Sequence, residues 1–216
     1  MSSFEKAKSV LLGLRLATDE RWVKLCENNL EAVLSDHAWC EQKAALNAIS
    51  TLTKYPMHTE LVEELTKIAI EEMEHFQMVV EKIRERGMTL QYEHKDSYVG
   101  ELAKYILVGG GSKENQLVNR MLFSAMIEAR SCERFRLLTE KLEDPELVAF
   151  YRELMISEAH HYTTFLGFAR KYGGDIDVLE SRLEDYRGRE RDVKLFPEIC
   201  GEKDRCVICK KEPVDH

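Results

Sequence analysis

The chain of 216 residues carries 39 acidic and 31 basic side chains, a formal net charge of −8. That balance excludes an extended electrostatic grip on nucleic acid, which needs clustered Lys and Arg, although a local basic patch remains compatible with it. Charged residues reach 32% and prolines number only four, which suits one mostly helical domain with a substantial core. No run of about eighteen apolar residues is present to span a membrane, and the first twenty residues lack the pattern of a secretory signal. Six cysteines in a chain this long do not make a disulfide scaffold. Cys26, Cys40 and Cys132 sit in helical patterns as reduced thiols, and the expected location is the cytoplasm.

The apolar period predicts a first helix from about Asn28 to Tyr55, with Leu34, Ala38, Glu41, Ala45 and Ala48 on one stripe and Pro56 ending it. A second helix is predicted from about Thr59 to Arg86, turning Leu65, Ile68, Ala69, Glu72, His75, Phe76 and Val79 inward, with Gly87 as its stop. Residues 88–113 read as a long connection holding a short helical piece around Tyr98 to Leu107, then the Gly109-Gly110-Gly111-Ser112 turn. A crossover of that length is expected where the second and third helices run parallel. The third helix spans about Lys113 to Leu142, with Met121, Ala125, Glu128, Cys132 and Phe135 on one face. Asp144 caps a fourth helix whose first turn holds Pro145. That helix runs to about Tyr172, with Leu147, Tyr151, Leu154, Glu158, His161 and Phe165 aligned, and Gly173-Gly174 stop it. Residues 176–194 read as a further charged helix, and 196–216 as an irregular tail. The expected division is a helical bundle domain over 1–195 and a cysteine-containing tail over 196–216.

The chemistry lies in a doubled motif. Glu72-Met-Glu-His75 and Glu158-Ala-His-His161 are two Glu-x-x-His sequences, whose ends share a helix face. Glu41 precedes Glu72 by 31 residues, and Glu128 precedes Glu158 by 30. Glu, Glu-x-x-His, Glu and Glu-x-x-His on four helices are the donor set of a carboxylate-bridged dinuclear metal centre. One such motif is weak, because Glu-rich helices produce it by chance; two with matching upstream glutamates are specific. Four carboxylates facing one core would repel strongly, and two divalent cations neutralise them. Carboxylate and imidazole donors without thiolate suit iron or manganese. Apart from these candidate ligands, no further catalytic residue is assigned.

The neighbouring polar residues have plainer readings. Glu133 lies about 140° around its helix from Glu128, and reads as a surface residue or a support for a ligand, paired with Arg130 or Arg134. His37, one turn before Glu41, either supports that ligand or is a packed, hydrogen-bonded core histidine. His160 points away from the site. Glu71 and Glu74 flank Glu72 on other faces and read as solvated. Cys206-Val-Ile-Cys209 is half of a metal knuckle, with only Cys200 and His216 to complete it, so a plain tail is the simpler reading.

These segments resemble a known group. The pattern over roughly residues 28–172 is similar to the ferritin-like di-iron carboxylate proteins. Within them, SDHAWCEQKAA (Ser35–Ala45), EEMEHF (Glu71–Phe76), IEARSCERF (Ile127–Phe135) and SEAHHY (Ser157–Tyr162) resemble the MiaE-type tRNA hydroxylases. The resemblance implies an all-α, ferritin-like four-helix bundle with a long crossover between the second and third helices and extra terminal helices. It implies an oxygen-dependent di-iron monooxygenase with Glu41, Glu72, His75, Glu128, Glu158 and His161 as ligands to two iron ions. Molecular oxygen would be the co-substrate. The implied substrate is 2-methylthio-isopentenyl-adenosine next to the anticodon of tRNA, hydroxylated on its isopentenyl group, with an electron-donor protein or reductase as partner. The basic residues available for RNA are Lys113 and Arg120 beside the glycine turn. Arg187, Arg189, Arg191 and Lys194 are interleaved with Glu184, Asp185, Glu190 and Asp192, as on a solvated helix. The competing functions are a rubrerythrin-like peroxidase, which would ordinarily carry a second Cys-x-x-Cys knuckle, and a ferritin-like iron-handling protein, which requires a cage-forming surface. A helical bundle with coincidental motifs is the non-enzymatic alternative.

Overall fold

A computed structural model describes residues 12, 14, 17–93, 97–106, 111–174, 177 and 181–185. Six helices follow in order: α1 (Arg21–Asn28), α2 (Leu30–Lys54), α3 (Thr59–Glu85), α4 (Ser97–Ile106), α5 (Lys113–Lys141) and α6 (Pro145–Gly173). No strand occurs among the described residues. The four long helices match the predicted ones to within two residues, because their boundaries are chemically marked. Gly87 and Gly174, just past the ends of their helices, adopt φ of 67° and 71°, positive values that glycine takes without a Cβ penalty. Ser112 accepts a hydrogen bond from the Asn115 amide, and Asp144 accepts from those of Glu146 and Leu147, with Pro145 in the first turn.

α2 packs on α3, and α5 on α6. Two apolar clusters show how the pairs meet. One joins Ala48 of α2, Leu61 and Leu65 of α3, Leu117 and Met121 of α5, and Phe165 and Ala169 of α6. The other joins Leu34 and Ala38 of α2, Val79 and Ile83 of α3, Phe135 and Leu138 of α5, and Leu147 and Leu154 of α6. The start of α3 and the start of α5 therefore lie at the same end, so these two helices run parallel, as the long crossover requires. Burying such side chains contributes roughly 1.5–3 kcal/mol each. The clusters hold the bundle from both ends and leave a middle layer, at positions 41, 72–75, 128 and 158–161, for polar groups.

The crossover is tied to α2. The Gln91 amide donates to Ser35 Oγ at 3.1 Å, Trp39 Nε1 donates to the Gln91 carbonyl at 2.9 Å, and the Thr89 amide donates to Glu31 at 2.8 Å. α4 then lies against α5.

α1 was not expected. It seats Trp22, Val23 and Cys26 in the second cluster, against α2 and α5. At eight residues it is too short to establish a period. Of the charged helix expected over 176–194, residue 177 and residues 181–185 are helical. The rest of it, with Arg187, Arg189, Arg191 and Lys194, lies outside the described residues. So does the whole 196–216 tail with Cys200, Cys206, Cys209 and His216. No described helix is long and apolar enough to cross a membrane.

Candidate metal centre

The middle layer holds all six residues singled out by spacing. Glu41 comes from α2, Glu72 and His75 from α3, Glu128 from α5, and Glu158 and His161 from α6. None exposes more than 6% of its surface. Their donor atoms form two overlapping groups, Glu41–Glu72–His75–Glu158 and Glu72–Glu128–Glu158–His161, each with all atoms within 4.8 Å of one another. Glu72 and Glu158 belong to both. Two ions could thus share those two carboxylates, each completed by one further glutamate and one histidine.

Electrostatics make this layer costly as it stands. Burial pushes Glu41, Glu128 and Glu158 up, with help from the charges of neighbouring carboxylates; Glu128 reaches about 8. Burial also opposes the charge on Glu72, but the neighbouring His161 and His75 rings, with Glu41, outweigh it and bring that carboxyl down to about 2. Glu41 lies close to Glu72, and Glu158 close to Glu128, with donor atoms within 4.8 Å, which adds to the rise of Glu41 and Glu158.

The donor set fits cations well. Glu72 Oε1, Glu158 Oε1 and His161 Nδ1 are buried without a hydrogen-bond partner. Although Glu72 Oε1 and His161 Nδ1 approach to 3.1 Å, they do not satisfy hydrogen-bond geometry, and lone pairs of this kind are normally paired or metal-bound. Thiolate is not in the set. Cys132, one turn after Glu128, donates to the Met155 carbonyl at 3.6 Å, and burial pushes its thiol up to about 11.

Two neighbouring residues touch candidate ligands, and a third does not. His37 Nε2 lies 2.5 Å from Glu41 Oε1, packed between Phe135 and Tyr151 at ring distances of 4.9 and 5.7 Å. Burial, with the charge of His75, lowers it to about 3, so it is neutral and Nε2–H donates to Glu41. His37 thus supports a candidate ligand. Glu71 keeps a side chain 41% exposed, close to the expected solvated one, but it is also engaged: Ser157 Oγ donates to it at 2.5 Å, and its other oxygen meets His161 Nε2 at 3.1 Å. This contact crosses from α3 to α6, so no single-helix pattern announces it. His161 consequently turns Nδ1 toward Glu72. Glu133 is buried, not on the surface. It pairs with Arg130 at 2.9 Å and accepts from the backbone amide and hydroxyl of Thr18, which places it outside both donor groups. Glu74 and His160 are exposed, as expected.

The chain is similar to known proteins. Residues 6–199 match the family described as tRNA-(MS[2]IO[6]A)-hydroxylase (MiaE). The tRNA 2-(methylsulfanyl)-N(6)-isopentenyladenosine(37) hydroxylase of Pseudomonas putida is 36% identical over 181 residues, covering 84% of this chain and 86% of that protein. The enzyme of the same description from Salmonella typhimurium is 25% identical, covering 88% and 86%. Among solved structures, Protein 43 with aldehyde deformylating oxygenase activity from Synechococcus superposes with a TM-score of 0.79 at 31% identity, covering 86% of this chain and 92% of that one. The bundle is ferritin-like, its buried carboxylate–histidine cluster is compatible with a di-iron site, and the chain belongs to the MiaE family of tRNA hydroxylases.

Proposed function

We propose that this chain is an oxygen-dependent di-iron monooxygenase that hydroxylates the isopentenyl group of 2-methylthio-isopentenyl-adenosine in tRNA. Glu41 and His75 would hold one iron, Glu128 and His161 the other, and Glu72 and Glu158 both. The observation that carries this reading is the pair of overlapping donor groups, within a chain of the MiaE family. Overall, a C–H bond, dioxygen, two electrons and two protons give a C–OH group and water. When bound, the iron pair supplies the redox chemistry that no side chain offers.

The protein's part is placement and exclusion. Glu71 holds the His161 ring by its far nitrogen, and His37 steadies Glu41. The apolar clusters on either side keep bulk water from the middle layer. The electrons require a donor, for which a reductase is the natural partner. The base would be presented from a single-stranded loop, in the cytoplasm where tRNA is modified. With a net charge of −8, RNA binding would depend on local patches; Lys113 is exposed and Arg120 half-buried at the start of α5. The likeness to a deformylating oxygenase favours the same oxygen-activating class over storage or peroxide turnover.

The test is metal analysis combined with isotopically heavy oxygen gas. Two irons per chain, and label in the hydroxylated nucleoside, are expected. Iron-loaded protein that makes product carrying oxygen from water would refute the monooxygenase reading.

A further inference from the structure

A cleft between α2 and α5, edged by Val99 of α4, has the candidate ligand Glu128 in its lining. Its volume is about 120 Å³. The larger groove, about 870 Å³ on the α2–α3 face, runs along Ile49, Ile70, Met73 and Val80 and touches none of the six candidate ligands. Size and lining give the smaller cleft its meaning. Val99, Phe123, Ile127 and Ala44 make apolar walls, and Asn47 donates to Ser124 Oγ at 2.8 Å within the lining. Lys43 and Arg134, both half-buried, also line the cleft. The first pairs with Glu93 at 3.1 Å, and the second lies over Trp22 at 5.5 Å.

A cavity of roughly 150 Å³ accepts one benzene ring, so this one accepts a branched chain of five carbons and not a fused purine. We propose that the α2–α5 cleft receives the prenyl chain alone, with the purine held at its mouth. Ile127 and Ala44 then set the chain length that is accepted. The assignment rests on the hydroxylase reading above and deepens it. It makes the Glu128–His161 half of the centre the one that faces the substrate. It also gives Lys43 and Arg134 a place beside the nucleotide, where positive charge suits a phosphate backbone.

The test uses full-length, iron-loaded protein with an anticodon stem-loop carrying either the five-carbon prenyl group or a ten-carbon geranyl group on the adenine. Ala44→Phe and Ile127→Trp fill the cleft; Ile127→Ala enlarges it. The filled variants should keep two irons per chain and the wild-type melting temperature. Their affinity for the free prenylated nucleoside, measured by calorimetry, should fall on the order of a hundredfold, since most of the chain's burial is lost. Hydroxylation should fall with it. Ile127→Ala should hydroxylate the geranylated RNA, which the wild type rejects. Filled variants with both irons that bind and hydroxylate like wild type would overturn the proposal. Should filling cost the iron, Ile127→Ala decides: geranyl product supports the cleft, and none overturns it. No product from wild-type protein on prenylated RNA would sink the hydroxylase reading, and the cleft assignment with it, which separates that failure from failure of the cleft alone.

Discussion

Removing the metal should make the protein less stable as pH rises from about 5.5 to about 7.5. In the metal-free chain Glu128 sits at about 8, against an ordinary 4.5, chiefly through burial. A carboxyl raised in the folded state stabilises the fold while protonated, and that contribution is lost as pH climbs toward the folded value. Over these two pH units the loss from Glu128 alone is on the order of 2–3 kcal/mol. Glu41 and Glu158 shift the same way and add to it. The two perturbed histidines nearly cancel. His37, lowered to about 3, makes the fold more stable with rising pH by roughly 1 kcal/mol, because only the unfolded chain gives up a proton over this range, and with it the protonation that favoured unfolding. For His161, burial opposes the charge, but Glu72 and the other carboxylates overcome it and raise the ring to about 9, so its contribution falls by about the same amount. Glu72, at about 2, is ionised throughout. The net loss corresponds to roughly 5–10 °C in melting temperature for a chain of this size. Scanning calorimetry of chelator-treated and iron-loaded protein across the range measures it. The loaded protein should show no such fall, since the cations keep the carboxylates ionised and metal binding strengthens as competing protons leave. A chelated protein whose melting temperature is flat or rises with pH would refute the reasoning.

Six substitutions test the proposed roles separately. Glu72→Ala and Glu158→Ala should each lose most of both ions, while Glu41→Ala should retain about one, by elemental analysis. Glu133→Gln should keep its metal yet lose about 2–4 kcal/mol of stability in denaturant titration, because the buried ion pair of Arg130 with Glu133 is broken; Glu128→Gln should show the reverse emphasis, with iron lost. Glu71→Gln should weaken iron retention roughly 10- to 100-fold in a chelator competition, since His161 loses the carboxylate on its outer nitrogen.

The middle layer was legible because its signals are local and doubled. A Glu and a His three residues apart must share a face, and each matched upstream glutamate lies on an apolar stripe with no other use for a charge. Helix ends were legible for the same reason: Gly87, Gly174, Ser112 and Asp144 act on their own backbone. Cross-helix chemistry was not. Glu71 looks solvated on α3 alone, and only its approach to Ser157 and His161 of α6 shows what it touches. Glu133 pairs with Arg130 as the spacing suggested, but its burial comes from Thr18, more than a hundred residues away. α1 is held by tertiary packing of Trp22, Val23 and Cys26 and carries too few residues to reveal a period. The α2–α5 cleft belongs to three helices at once, and no single segment encodes it.

The most direct measurement is mass analysis of the nucleosides of tRNA carrying 2-methylthio-isopentenyl-adenosine, after incubation with iron-loaded protein, oxygen and reductant. Glu158→Ala serves as the control. A gain of one oxygen atom on the prenylated adenosine, present with wild type and absent with the variant, is the result the account predicts. An unchanged nucleoside from protein holding two irons per chain, in a preparation that instead deformylates an aldehyde, would contradict it.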